Sequence, residues 1–160
     1  MFSAVGPFFF VVRNVRTGKV IAMRPTLTID DQLKIKMFLE SAGPRGSRSP
    51  VVRRLQEALA GARVVDPTLV PQDCVTMNSH VRLLYHSTGQ TRILRLAWPR
   101  ASAAAENDDL PEAVSILSPV GAALLGSRAG DVITWSAPAG DLQGTVLEVL
   151  YQPEAFGDPG

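Results

Sequence analysis

The run V-S-I-L-S-P-V-G-A-A-L-L-G-S-R-A-G-D, residues 114–131 of a 160-residue chain, holds a strand, a helix start, a helix stop and a turn. The Ser118 hydroxyl is placed to accept from an orphan amide at a helix N-terminus, and Pro119 has no amide to lose at the first helical position. Gly126 supplies the left-handed residue that ends a helix of about two turns. Residues 114–117 predict the strand. No catalytic side chain lies in the run, so what it offers a partner is shape and a helix start.

Toward the C-terminus, residues 131–135 and 144–151 predict two more strands around a P-A-G-D turn. Toward the N-terminus, residues 75–85 predict a strand in which Val81, Leu83 and Tyr85 alternate. The turn His86-Ser87-Thr88-Gly89 leads to another over 92–98, with Ile93, Leu94 and Leu96 buried to differing degrees. Residues 101–111 read as a solvated loop carrying Glu106, Asp108 and Asp109. Residues 64–71, V-V-D-P-T-L-V-P, read as a Pro-punctuated linker.

Further back the period changes. Thr28-Ile29-Asp30-Asp31 has the form of a capping box with aspartate in place of Glu or Gln, and both carboxylates suit the positive end of a helix dipole. The helix predicted over 29–42 carries Ile29, Leu33 and Met37 on one stripe with Phe38 beside it, and Gly43-Pro44 stops it. Ser49-Pro50 repeats the cap pairing. Val51, Leu55, Ala58, Leu59 and Ala62 follow the spacing of a second amphipathic helix. The two helices make an antiparallel hairpin whose tip, S-A-G-P-R-G-S-R-S, has Arg45 and Arg48 as its only charges. Arms of about 14 residues reach only ~20 Å. The sum is an α+β chain: a short helical hairpin over 23–65, then a largely antiparallel five-stranded sheet with one short helix over 66–160.

The first 22 residues admit two readings. Phe8 to Val12 and Lys19 to Ala22 fit a β-hairpin about Thr17-Gly18. Alternatively Met23 is the natural start and residues 1–22 are a dispensable extension, which the better-formed signals after Met23 favour. The apolar run P-F-F-F-V-V is far below the ~20 residues that span a bilayer. Arg13, Arg16 and Lys19 follow it, whereas a secretory signal has its positive charge in front.

A hydrophobic content of 46% and one cysteine, Cys74, describe a globular protein without an intrachain disulfide or a multi-cysteine metal site, in keeping with a reducing cytoplasm. The net charge of +1 conceals an asymmetry: residues 1–63 hold 11 Lys/Arg against 4 Asp/Glu, and residues 64–160 hold 5 against 11. Two surfaces with different partners would produce it, as would two halves each with a solvated face of one sign. His80 and His86 match no common zinc spacing and read as surface or strand-packing residues. Cys74 reads as a small buried hydrophobe, and Asp30 and Asp31 as helix-start residues. Trp98, Trp135 and Tyr151 read as sheet core. Gly121, Gly126 and Gly130 lack the spacing of a phosphate-binding loop. Neither a metal nor a cofactor is expected.

Three blocks in order carry a resemblance: C-V-T-M-N-S at 74–79, S-P-V-G-A-A-L-L-G at 118–126, and Y-Q-P-E-A with Gly157-Asp158 from residue 151. Together they resemble the bacterial regulators of nucleoside diphosphate kinase, the Rnk family, over about residues 23–158. That family is similar to the Gre transcript-cleavage factors, whose coiled coil enters the secondary channel of RNA polymerase while an FKBP-like domain docks at its rim. The resemblance implies that the hairpin is a short coiled coil, that the sheet domain is FKBP-like, and that Leu117, Ser118 and Pro119 contact the polymerase. Ser127 stands where the family pattern Gly-Leu-Arg-x-Gly-Asp has an apolar residue, which implies altered packing behind that loop.

Gre-type cleavage needs carboxylates at the coiled-coil tip to hold a second Mg²⁺. No carboxylate lies between Ser41 and Val52, and Arg45 or Arg48 would repel the ion. Arms of some 30 residues would reach ~45 Å, against ~20 Å here. The expectation is therefore a non-enzymatic, cytoplasmic monomer that binds core RNA polymerase near the secondary channel. It would compete with Gre-type factors without stimulating cleavage. The alternative is a regulator of nucleoside diphosphate kinase or nucleotide pools, acting on the kinase indirectly more than by contact. An outsider is a peptidyl-prolyl isomerase using Trp98, Trp135 and Tyr151. Arg45, Arg48, Arg53 and Arg54 are the candidate contacts to nucleic acid, DNA included, or to an acidic channel wall.

Overall fold

The structure, a computed structural model, describes residues 10–14, 20–23, 25–41, 49–99 and 111–157. It is α+β. Strands β1 (Phe10–Asn14), β2 (Val20–Met23) and β3 (Thr26–Thr28) precede helices α1 (Ile29–Ser41) and α2 (Pro50–Gly61). Strands β4 (Arg63–Val65), β5 (His80–Tyr85), β6 (Thr91–Ala97) and β7 (Glu112–Ser115) follow, then helix α3 (Pro119–Leu124) and strands β8 (Asp131–Ala137) and β9 (Gly140–Tyr151). Single 3₁₀ turns lie at Pro67–Leu69 and Pro153–Phe156.

The five expected sheet strands lie side by side as β8-β9-β5-β6-β7, and β1 and β2 extend that sheet past β8. The N-terminal segment thus has the backbone of the hairpin reading, with Phe10 opposite Met23 and Arg13 opposite Val132. The Thr17-Gly18 turn lies outside the described residues, as do all of the expected acidic loop over 101–111 but Pro111 and all of the expected hairpin tip over 41–49 but Ser41 and Ser49. Pairing within this sheet is antiparallel except between β6 and β7. Alternation sends Val81 and Leu83 of β5 and Leu94 and Leu96 of β6 fully inward. Register shifts in β9 opposite β5 leave Leu147 and Leu150 exposed.

Three expectations need correction. The strand expected over 75–85 begins only at His80, because Val75 to Ser79 form a buried turn in which Asn78 takes φ 65° and the Ser79 hydroxyl accepts from the Thr76 amide. The linker over 64–71 contains β4, which pairs in parallel with β3, Leu27 opposite Val64. The apolar stripe of α1 is not the inward one. Ile29, Leu33 and Met37 are 44%, 53% and 68% exposed, whereas Ile35, Leu39 and the carboxylate Asp31 are buried.

Helix α2 buries Val52, Leu55 and Ala58, with Val51 and Leu59 partly covered. Pro50 occupies its first turn as expected, but the Ser49 hydroxyl makes no cap bond. Arg54 Nη1 donates to the Thr134 carbonyl of β8 at 2.9 Å, which fastens α2 to the sheet. Leu27, Ile35 and Leu55 join Leu83, Leu96, Ile116, Leu124, Trp135 and Val146 in one hydrophobic cluster. The helices and the sheet therefore share a core.

Candidate functional site

The turn into α3 is held by short polar contacts. The Ser118 hydroxyl donates to the Ser115 carbonyl at 2.6 Å and accepts from the Gly121 amide at 3.1 Å, which is the cap expected of it. The Ser118 amide donates to the same carbonyl at 2.9 Å, and the Leu117 amide donates to the Ser115 hydroxyl at 3.0 Å. A Cβ on Gly121 would lie 1.9 Å from the Ser115 oxygen, so only glycine lets the first turn of α3 approach the preceding strand. Leu117 rests half-buried on the core, Ser118 is half-buried, and Pro119 is exposed. The three expected contact residues thus form one turn with a solvent-facing edge. Ser118→Ala should cost about 1 kcal/mol by removing the cap, read as a lower melting temperature, whereas Ser118→Asp should retain most of it.

The far end of α3 is tied to residues 73–77. Gly126 has φ +77° and its amide donates to the Val75 carbonyl at 3.0 Å. Ser127 is buried; its hydroxyl donates to the Leu124 carbonyl at 2.6 Å and its own carbonyl accepts from the Val75 amide. The Ser127 amide also donates to that Leu124 carbonyl at 3.0 Å, so the hydroxyl is a second donor to it and is itself satisfied, which lets a polar residue be buried at a position read as apolar. Asp131 accepts from the Arg128 amide at 2.8 Å, and Arg128 holds both carboxylate oxygens of Asp73, the shortest contact 2.9 Å. Burial raises the Asp131 carboxyl despite that amide and the nearby guanidinium.

The arginines differ in availability. Arg53 is exposed, Arg54 is half-buried and engaged with β8, and Arg45 and Arg48 lie outside the described residues. The aromatics fall into two separate groups. Trp135 is 6% exposed and meets Tyr85 edge-on at 5.8 Å, whereas Tyr151 packs between His80 at 4.9 Å and Phe156 at 5.0 Å. Trp98 packs partly buried on the main cluster. His86 shares a hydrogen bond with the Thr145 hydroxyl at 2.7 Å. Burial pushes the Cys74 thiol up to about 12, so it stays protonated. Among the described residues no three His, Cys, Asp or Glu side chains are grouped to hold a metal.

Sequence reasoning missed one polar cluster. Asp31 and Glu154 both bind the 76–79 segment, Asp31 through the Met77 amide at 3.1 Å and Glu154 through the Thr76 hydroxyl at 2.7 Å. The available signal was the T-x-x-D box. Half of it forms, since the Asp31 amide donates to Thr28 Oγ1 at 3.1 Å, while the Asp31 carboxylate accepts from Met77.

Three comparisons bear on this geometry. The family described as "Transcription elongation factor, GreA/GreB, C-term" matches residues 70–151. The "Regulator of nucleoside diphosphate kinase" of Escherichia coli (strain K12) is 40% identical over 138 residues, covering 84% of this chain and 96% of that protein. "Transcription elongation factor GreA" of Thermodesulfovibrio yellowstonii is 31% identical over 101 residues, 63% of this chain and 61% of that protein. Among solved structures, "Prokaryotic transcription elongation factor GreA/GreB from Nitrosomonas europaea" superposes with a TM-score of 0.65 at 35% identity. It covers 81% of this chain and 99% of that one.

Proposed function

The chain belongs to the GreA/GreB transcription elongation factor family, within its group of regulators of nucleoside diphosphate kinase, and from that membership we propose a non-catalytic regulator that binds core RNA polymerase near its secondary channel. It competes there with Gre-type factors and does not stimulate transcript cleavage. The observation that carries this is the turn at Leu117, Ser118 and Pro119, whose backbone is fixed on the inside by Ser115 and Gly121 and whose Pro119 faces solvent. A partner meeting such a turn finds it already ordered, so little conformational entropy is lost on docking.

The helical segment supports the absence of cleavage. With 13 and 12 residues, α1 and α2 reach ~20 Å and ~18 Å. Part of that length is spent in the shared core, where Ile35, Leu39, Val52 and Leu55 pack with the sheet residues. The tip sequence brings Arg45 and Arg48 and no carboxylate. On this reading the segment is a short coiled-coil plug beside an FKBP-like domain. The inward placement of Trp135 argues against a proline-binding pocket lined by Trp98, Trp135 and Tyr151.

A competition assay on core polymerase with Gre-stimulated cleavage as readout tests the proposal. The protein should suppress cleavage and produce none itself. The double change Ser118→Ala, Pro119→Ala should raise the half-inhibitory concentration about tenfold or more, equivalent to ~1.4 kcal/mol of lost contact. No binding at micromolar concentration would sink the idea. Binding that weakens steeply with salt would add Arg45, Arg48 and Arg53 to the interface, and insensitivity to salt would confine contact to the loop. A second reading, control of nucleoside diphosphate kinase, rests on the printed name of the 40%-identical relative. A change in the rate of purified kinase with no polymerase present would favour it.

A further inference from the structure

Asp31, at the start of α1, and Glu154, in the last 3₁₀ turn, are received by consecutive residues of the buried 76–79 segment. The Met77 amide donates to Asp31 Oδ2 at 3.1 Å, and the Thr76 hydroxyl donates to Glu154 Oε2 at 2.7 Å. Thr76 has one hydroxyl hydrogen, so in the 2.9 Å contact between Thr76 Oγ1 and Ser79 Oγ the serine is the donor. Thr76 and Ser79 are fully buried and Asp31 is 2% exposed. The first turn of the helical segment is thus fixed to the body through a carboxyl with little access to water.

We propose that this joint is a proton-operated clasp. With Asp31 neutral it holds the first turn of α1 firmly against residues 76–79, and with Asp31 ionised a buried charge facing Glu154 loosens it. This inference does not depend on the partner proposed above.

The groups that face Asp31 set the direction. Burial is the largest cause and raises its carboxyl to about 6; the Met77 amide opposes this, Glu154 adds to it, Lys34 opposes it and Asp30 adds to it. Cys74, in the neighbouring segment, remains a neutral thiol. Strand β3 contributes only the Thr28 hydroxyl, and β4 brings Arg63, which is exposed. The folded carboxyl binds its proton more tightly than the unfolded one, whose ordinary value is 3.8. Its stabilising contribution is therefore complete below 3.8 and is lost as pH rises through about 6.

The test uses the full chain. A carbon-detected NMR titration should place the Asp31 carboxyl midpoint near 6. Hydrogen exchange, corrected for its intrinsic pH dependence, should show the opening of the Asp31 and Met77 amides rising on the order of tenfold between pH 5 and 7.5. Asp31→Asn should abolish that slope, and Glu154→Gln should move the midpoint downward. A midpoint at an ordinary aspartate value of about 4, or a slope that survives Asp31→Asn, would overturn the proposal. If Asp31→Asn does not fold, the wild-type titration alone decides.

Discussion

Gly121→Ala is expected to destabilise the protein by about 3 kcal/mol or more and, on the proposed function, to weaken polymerase binding with it. The added Cβ would sit 1.9 Å from the Ser115 oxygen, 2.8 Å from its carbonyl carbon and 2.9 Å from Ser118 Oγ. Two of the three atoms are backbone, so a rotamer change gives no relief. The Ser115 oxygen also accepts from both the Ser118 amide and the Ser118 hydroxyl. Moving it breaks the cap along with the contact. For a chain of this size the loss corresponds to a fall in melting temperature of roughly 6–12 °C. Gly89→Ala is the control. Gly89 has φ +70° with nothing within 4 Å of the added atom, so its cost is limited to the backbone term of about 1 kcal/mol. Equal melting temperatures for the two variants would show that strand β7 yields, and that the turn is not rigid.

Trp135→Ala is expected to cost about 3–5 kcal/mol. The ring is 6% exposed, meets Tyr85 edge-on at 5.8 Å, and its Cη2 lies 3.2 Å from where a Cβ on Gly144 would stand. Gly144, on the neighbouring strand, leaves the space that the indole fills. Removing the ring opens a cavity that β8 and β9, paired from Val132 to Ala137, cannot close. Trp135→Phe should keep part of the edge contact and cost less. Chemical denaturation of the two variants reads the difference directly. A ring lining a ligand pocket, in contrast, would be removed at little cost in stability.

The parts of the fold legible in the sequence are those whose signal is local. Ser118 and Pro119 mark the start of α3 through a cap bond made within three residues, and Gly126 marks its end through a left-handed backbone, φ +77°, that belongs to the residue itself. The strand β4 escaped notice because its partner, Thr26–Thr28, stands on the other side of two helices in the chain. Helix α1 misled for a different reason. Ile29, Leu33 and Met37 repeat every fourth residue as a core stripe does, but the inward face is Asp31, Ile35 and Leu39. A carboxylate in that stripe suppresses its hydropathy, and only the Met77 amide, far along the chain, explains why it is there. Val75 to Ser79 look like strand by composition, yet the Thr76 and Ser79 side chains bond within the segment and turn it. The turn into α3 was legible through its cap. The Asp31 and Glu154 joint was not, since both carboxylates bond to residues 76–77, far from either in the chain, and nothing local marks Asp31 as buried.

The parallel pairing of β3 with β4 sets the departure of the helical segment, after Thr28, and its return, at Arg63 opposite Thr26, at the two ends of one three-pair ladder. The segment from Ile29 to Ala62 is bracketed by those three pairs, and its base is packed into the shared core through Ile35, Leu39, Val52 and Leu55. Turns can be added to or deleted from its outer end without altering where the chain leaves or rejoins the sheet. The same frame is thus suited to carry a longer or a shorter pair of helices.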